Sequence, residues 1–238
     1  MSHLQGEARA RYVRQMFGRI ARRYDLLNTL ITLGQHRRWR RLTARRLKLS
    51  PGARALDLGA GTADLTFELL RQHPGAQVIA CDFSPEMMAL GRARQGERKA
   101  NWIIADALNL PFAEGTFDGV TSGFLLRNVG DLERALAEKR RVLRPGGQLA
   151  FLETTPPRSR VLRPLIQLHF RWLIPLLGRL LAGDAEAYKY LPASSTAFVD
   201  CETLAARMEA AGFQEVGFST HMLGTVAIHW GRRPPPPS

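Results

Sequence analysis

Three carboxylates and two glycines have the types and spacing to hold a nucleoside with a positive centre. Asp57, Gly59 and Gly61 lie in the run Ala55-Leu-Asp-Leu-Gly-Ala-Gly-Thr-Ala-Asp-Leu65, Asp82 closes Gln77-Val-Ile-Ala-Cys-Asp82, and Asp106-Ala107 follows Asn101-Trp-Ile-Ile-Ala105. A strand that ends in a glycine turn and opens a helix brings backbone N–H groups against a ligand at low steric cost. A dinucleotide loop adds a third glycine for close packing around a pyrophosphate. Here that position is Asp64, and an acidic residue at a helix start repels phosphate. The loop therefore suits a ligand without phosphate, and S-adenosylmethionine is one: a sulfonium, an amino-acid end and an adenosine. Asp57 is placed for the ammonium, directly or through water. Asp82, roughly 20 residues on, is placed for the ribose hydroxyls, as in nucleotide folds of this kind. Asp106-Ala107 is placed for the adenine edge, and Gly123, closing a fourth strand, joins the cofactor-binding set. Each aspartate taken alone could instead cap a helix or start a turn. Their recurrence at three successive strand ends is what points to one crevice.

Those residues need a scaffold that brings strand ends together, and the periodicity supplies one. Residues 8–31 and 36–49 read as helices, with apolar positions at three-to-four spacing and arginines between. After Ser50-Pro51-Gly52, strands over 54–59, 76–82, 101–106, 117–124 and 148–154 alternate with helices over 63–73, 84–95 and 131–143. Ser84 with Pro85, and Asp131, are the helix-start residues, and Arg144-Pro-Gly-Gly147 reads as a turn. A helix over 201–213 and a hairpin of 215–220 with 225–231 follow. The order predicts an α/β, Rossmann-like, mainly parallel sheet with helices on both faces.

The expected organisation is one domain: an N-terminal helical cap over 1–50, a cofactor-binding core over 51–155, a helical insertion over 156–190, a C-terminal helix and strands over 191–233, and a disordered tail over 234–238. Two cysteines, Cys81 and Cys201, have no metal-ligand spacing, which argues for a reducing, cytoplasmic setting and against structural zinc. No metal site is expected. The net charge of +13 comes almost wholly from arginine, since Lys48, Lys99, Lys139 and Lys189 are the only lysines. Such a balance fits an anionic membrane, an anionic substrate, nucleic acid, or simply a soluble arginine-rich surface.

Three stretches carry a closer resemblance: Arg23 to Arg41, Phe124 to Glu153, and the run from Tyr188 to Arg233. Their most specific pieces are Tyr24-Asp25-x-x-Asn28 with Gly34-x-His36-Arg37-x-Trp39-Arg40, and Arg127-Asn128-Val129-x-Asp131. Over nearly the whole chain the sequence resembles the C-methyltransferases of ubiquinone and menaquinone biosynthesis. The resemblance implies a class I methyltransferase fold with seven strands and an antiparallel last strand. It also implies methyl transfer from S-adenosylmethionine to a ring carbon of a polyprenylated quinol such as demethylmenaquinol. Thr62, Asp82 and Asp106-Ala107 match the family's cofactor-contacting positions. Three departures stand out. Ala63 replaces a glycine, which a helical conformation there would tolerate. Leu27 replaces a methionine, a volume-conserving change. Leu125-Leu126 stands where Gly-Leu is usual and is expected to narrow the pocket.

Quinol chemistry assigns the remaining roles. A ring carbon is a weak nucleophile until the neighbouring hydroxyl ionises; with a pKa of about 10, only about one molecule in a thousand is ionised at neutral pH, a penalty near 4 kcal/mol. Arg127, after the fourth strand, is the expected phenolate stabiliser, with Asn128 and Tyr24 orienting the hydroxyl. A guanidinium does not act as a base, so an activated water takes the proton. The competing reading pairs Arg127 with Asp131 or Glu133. His36 is either a packing histidine or part of the site, and Trp39 is expected in the core. The leucine-rich 156–190, with Arg163, Gln167 and Arg171 on one face, is too interrupted to span a bilayer. It is expected either to meet anionic lipid at the inner face of the membrane or to pack on the protein or a second subunit. A nucleic-acid methyltransferase is the rival class. No Asn-Pro-Pro-Tyr-like motif follows the fourth strand and no aromatic-and-basic platform appears, so no nucleic-acid partner is expected.

Overall fold

The computed structural model describes residues 6–97, 99–157, 190 and 193–235. Helix α1, Gly6–Ile31, buries Val13, Met16, Ile20 and Leu27 along one stripe, the spacing that a 3.6-residue period requires. Leu33 and Gly34 then take left-handed conformations, φ 51° and 74°, and reverse the chain into α2, Gln35–Arg46. The alternating core follows as β1 (Arg54–Leu58), α3 (Asp64–Gln72), β2 (Gln77–Asp82), α4 (Pro85–Ala93), β3 (Asn101–Ile104), β4 (Phe117–Gly123), α5 (Leu132–Val142) and β5 (Leu143–Thr154). Helix α6 (Cys201–Ala210) and strands β6 (Gln214–His221) and β7 (Val226–Arg232) close the chain.

The seven strands form one sheet in the order β3-β2-β1-β4-β5-β7-β6. β1 to β5 pair in parallel, and β7 runs antiparallel to both of its neighbours. This is the expected α/β architecture with its reversed last strand. Both faces are covered: Leu56 and Leu58 belong to one core cluster, and Ala55, one residue out of phase, to the other. Ser84 and Asp131 cap α4 and α5 as expected, accepting the N–H groups of Met87 and Arg134.

The turn expected at Arg144-Pro-Gly-Gly147 is instead absorbed into β5 as an irregularity. The register steps from Phe117↔Leu143 to Gly119↔Gln148, so the extra residues bulge out of the ladder. The insertion expected over 156–190, with Arg163, Gln167 and Arg171, lies outside the described residues except at 156, 157 and 190. Among the described residues no helix is long and apolar enough to cross a membrane.

Candidate active site

The carboxyl ends of β1, β2 and β4 open onto a cavity of about 270 Å³. Every expected cofactor residue lines it: Asp57, Gly59, Gly61, Thr62, Asp82, Asp106, Ala107 and Gly123. Parallel order explains this, because crossover helices return each strand in the same direction and bring its end to one edge.

Asp57 is wholly buried on β1. Its Oδ2 accepts the Thr66 hydroxyl at 2.6 Å, and Oδ1 has no hydrogen-bond partner. Burial pushes the carboxyl up to about 6, with the Thr66 bond opposing it. A buried acceptor left open in a cavity wall fits the ammonium of an amino-acid ligand, since such a group is costly without a partner. Asp82 holds the loop together, its two oxygens accepting the N–H groups of Gly61 (2.8 Å) and Ser84 (2.9 Å). Burial raises its pKa and those backbone donors oppose the rise. Each oxygen keeps a second lone pair for a ribose hydroxyl. Asp106 starts a turn by accepting the Leu108 N–H at 2.9 Å and also lines the cavity.

The glycines are sterically required. Gly59 has φ 70°, and a Cβ there would sit 2.9 Å from Leu125 Cδ1. Leu125, the departure expected to narrow the pocket, does line this cavity. Ala63 corrects an expectation: its conformation is left-handed, φ 71° and ψ 21°, rather than helical. An alanine there bears a strain of about 1–2 kcal/mol that a glycine would not. Asp64 is corrected too. Its carboxylate meets Arg40 at 2.9 Å and Arg94 at 2.6 Å. Burial pushes it up, but the two guanidiniums more than offset this and hold it below the usual range. The missing third glycine, and not a free charge at Asp64, is what sets this loop apart from a pyrophosphate site.

Thr62 donates to Asp25 at 2.7 Å, and Asp25 also pairs with Arg94 at 2.7 Å. This clasp fastens α1 over the glycine loop after β1. Sequence reasoning quoted Asp25 and Arg40 only as parts of motifs and passed over Arg94. Their signal was the acidic residue inside Tyr24-Asp25-x-x-Asn28.

A second, smaller cavity of about 80 Å³ adjoins the first, and Tyr24 and Phe124 line both. Arg127 lies here rather than in the first cavity. Neither expected partner holds it: Asp131 caps α5, and Glu133 pairs with Arg207 at 2.6 Å. Arg127 is paired instead with Glu153 of β5, both groups buried, through its Nη1 and its backbone N–H. β5 is the sheet neighbour of β4, which is why residues so far apart in sequence meet. Arg127 Nε and Asn28 Nδ2 are buried without a hydrogen-bond partner, and both residues line this cavity. Asn128 lines the first cavity, with its amide donating to the Phe124 carbonyl at 2.9 Å and accepting from the Tyr190 hydroxyl at 3.2 Å.

His36 is buried in the wall of the second cavity. The Thr32 hydroxyl donates its hydrogen to the Asn28 carbonyl at 2.6 Å, so it can only accept from His36 Nδ1 at 2.8 Å. That fixes the tautomer and leaves Nε2 with a lone pair. Burial, aided by Arg40, pushes the imidazole down to about 4. Trp39 is in the core as expected, packed with Leu152, Val226 and Ile228, and also forms part of this wall. Lys139 is wholly buried on α5 and donates to Ser122 Oγ at 2.8 Å. Burial pushes it down to about 7 against the pull of Asp57 and Glu153.

A family model described as the ubiE/COQ5 methyltransferase family matches residues 5–233. The chain belongs to that family. It is 46% identical over 220 residues to a Desulfotalea psychrophila protein named ubiquinone/menaquinone biosynthesis C-methyltransferase, covering 92% of this chain and 89% of that one. It is 44% identical over 221 residues to the demethylmenaquinone methyltransferase of Thermus thermophilus, covering 92% and 100%. Among solved structures, phosphoethanolamine N-methyltransferase 2 of Haemonchus contortus, in complex with S-adenosyl-L-methionine, matches with a TM-score of 0.61 at 14% identity, covering 82% of this chain and 52% of that one. That likeness shows the class I methyltransferase fold. In this ubiE/COQ5 methyltransferase the glycine loop, the three strand-end aspartates and the unpartnered Asp57 oxygen line the first cavity. The second cavity is the half that the fold alone does not explain.

Proposed function

We propose that this chain transfers the methyl group of S-adenosylmethionine to a ring carbon of a polyprenylated quinol, demethylmenaquinol first and a related benzoquinol second. The observation that carries the reading is the second cavity: an aromatic-walled space beside the cofactor cavity with two unpartnered buried donors and one free imidazole lone pair. The names of the two relatives support the same substrate class. We assign the reaction to the cytoplasm, at the inner face of the membrane where such a substrate resides.

When bound, the cofactor supplies an electrophilic methyl on a sulfonium. Asp57 Oδ1 accepts from its ammonium, Asp82 from its ribose, and the Asp106-Ala107 turn borders its adenine. Gly59, Gly61, Thr62 and Gly123 shape the remaining wall. In the second cavity His36 Nε2 accepts the hydrogen of the ring hydroxyl, while Arg127 Nε and Asn28 Nδ2 donate to oxygen as it gains charge. A hydrogen bond involving a charged group contributes about 1.5–3 kcal/mol. Two of them offset most of the roughly 4 kcal/mol ionisation penalty. At about 4, His36 is too weak a base to keep a phenol's proton, so it orients the hydroxyl and a water carries the proton away. Tyr24 sets the ring at the boundary of the two cavities. Asn128 acts through the loop, because its amide already bonds the Phe124 carbonyl and Tyr190.

The test offers purified protein and methyl-labelled cofactor to a demethylmenaquinol analogue, tRNA and a protein extract in parallel. Label is expected in the quinol. Label confined to tRNA or protein overturns the proposal.

A further inference from the structure

The solvent-facing stripe of α1 changes character along its length. Near its middle the stripe carries Arg22, and then come Leu26, 54% exposed, Leu30, 39% exposed, and Leu33, 82% exposed, at helical spacing into the turn. Leu33 is the informative residue. It takes φ 51°, a conformation that costs a branched side chain energy, and it holds that side chain out in solvent with no packing return. Four arginines rim the leucines: Arg22, Arg23, Arg37 and Arg38, all exposed, and none in an ion pair among the described residues. The inner face of the same two helices supplies Asn28, Thr32 and His36 to the second cavity.

We propose that the α1–α2 tip is a docking surface for an anionic lipid bilayer, with Leu26, Leu30 and Leu33 entering the interface and the four arginines meeting headgroup phosphates. Apolar side chains ringed by arginine are the pattern of an interfacial element, in which buried apolar area and attraction to anionic lipid add. A second copy of this chain is the weaker occupant. A two-fold contact through this patch sets one arginine rim against the other, on subunits that each carry +13. Docking here holds two helices that wall the second cavity against the membrane, close to where a lipid-tailed ring resides. The proposal rests on the lipid-tailed substrate only for its purpose.

The experiment measures vesicle binding without substrate, so its failure is separate from a failure of the methylation assay. Full-length protein is sedimented with phosphatidylcholine vesicles containing phosphatidylglycerol and with phosphatidylcholine vesicles alone. Binding is expected on the anionic vesicles and to fall with added salt, because surface charges are screened. The L26S/L30S/L33S variant should bind at least tenfold more weakly with an unchanged melting temperature, since these side chains are exposed. The R22Q/R37Q/R38Q variant should lose the preference for anionic lipid. R54Q/R144Q/R232Q removes equal charge from the opposite edge of the sheet and should bind as the parent does. Equal losses in the two arginine variants would reduce the effect to net charge and overturn the assignment. So would leucine substitutions that leave vesicle binding intact, or that only convert a dimer to a monomer.

Discussion

Arg127 combines two jobs that a sequence reading keeps apart. Its pair with Glu153 is almost wholly buried, and breaking such a pair costs about 3–5 kcal/mol because the remaining charge is left uncompensated. Its Nε is buried without a hydrogen-bond partner, and the residue lines the second cavity. Arg127→Lys retains a charge but loses both the planar fork and that Nε–H. Melting temperature should therefore fall, and turnover per folded molecule should fall at least about tenfold, equivalent to about 1.4 kcal/mol, with cofactor affinity little changed. The quantity that decides is turnover normalised to folded protein. A lysine variant with normal turnover on that basis removes Arg127 from the reaction and leaves it a structural ion pair.

At the level of elements, α1 is a cover held by two kinds of contact. Met16, Ile20 and Leu27 are buried on its inner stripe in a small apolar cluster that Tyr190 joins from outside the helix, and the Asp25–Thr62–Arg94 clasp fixes it to the glycine loop after β1. The apolar anchor sets whether the helix stays folded; the clasp sets its position over the cavity. Asp25→Ala removes the second and spares the first. Asp25 is partly exposed, so global stability should change by no more than about 1 kcal/mol. Amide exchange in α1 should quicken relative to β1 and β4, and cofactor affinity should weaken several-fold. Unaltered exchange in α1 would show that the apolar cluster alone positions the helix.

Across the whole molecule, the buried charges make the protein sensitive to pH near neutrality. Burial lifts the Asp57 carboxyl from 3.8 to about 6, so between those values the folded chain holds a proton that the unfolded chain has lost. Stability contributed by this group is therefore present at low pH and declines as pH rises through that window; at neutral pH the ionised carboxylate costs on the order of 3 kcal/mol. Thr66, Arg40 and Lys139 favour ionisation and Asp82 opposes it. A bound ammonium also favours the ionised form, so cofactor binding below about pH 6 must expel a proton. Affinity measured by calorimetry should weaken by up to about tenfold per pH unit below 6, and Asp57→Asn should flatten that dependence. A parent protein whose affinity does not vary from pH 5 to 7.5 would take Asp57 off the ammonium.

What the sequence determined by itself is whatever depends on neighbours along the chain. The periods of two and 3.6 residues marked the strands and helices, Ser84 and Asp131 marked helix starts, and the glycines marked the turn at the end of β1. The parallel order then followed from strand–helix alternation, and with it the gathering of Asp57, Asp82 and Asp106 at one edge. Only the tertiary structure decided which distant groups meet. Glu153 faces Arg127 because β5 lies beside β4. Asp25 reaches Thr62 because α1 folds back across the sheet edge. Lys139 is buried because α5 turns that face to β4 and β5. Ala63 was misread for a related reason: its left-handed φ is imposed by the path from β1 into α3, against alanine's own helical preference. A local propensity gives way where the chain must satisfy a turn, and a charge finds its partner in space, so neither could be read from spacing alone.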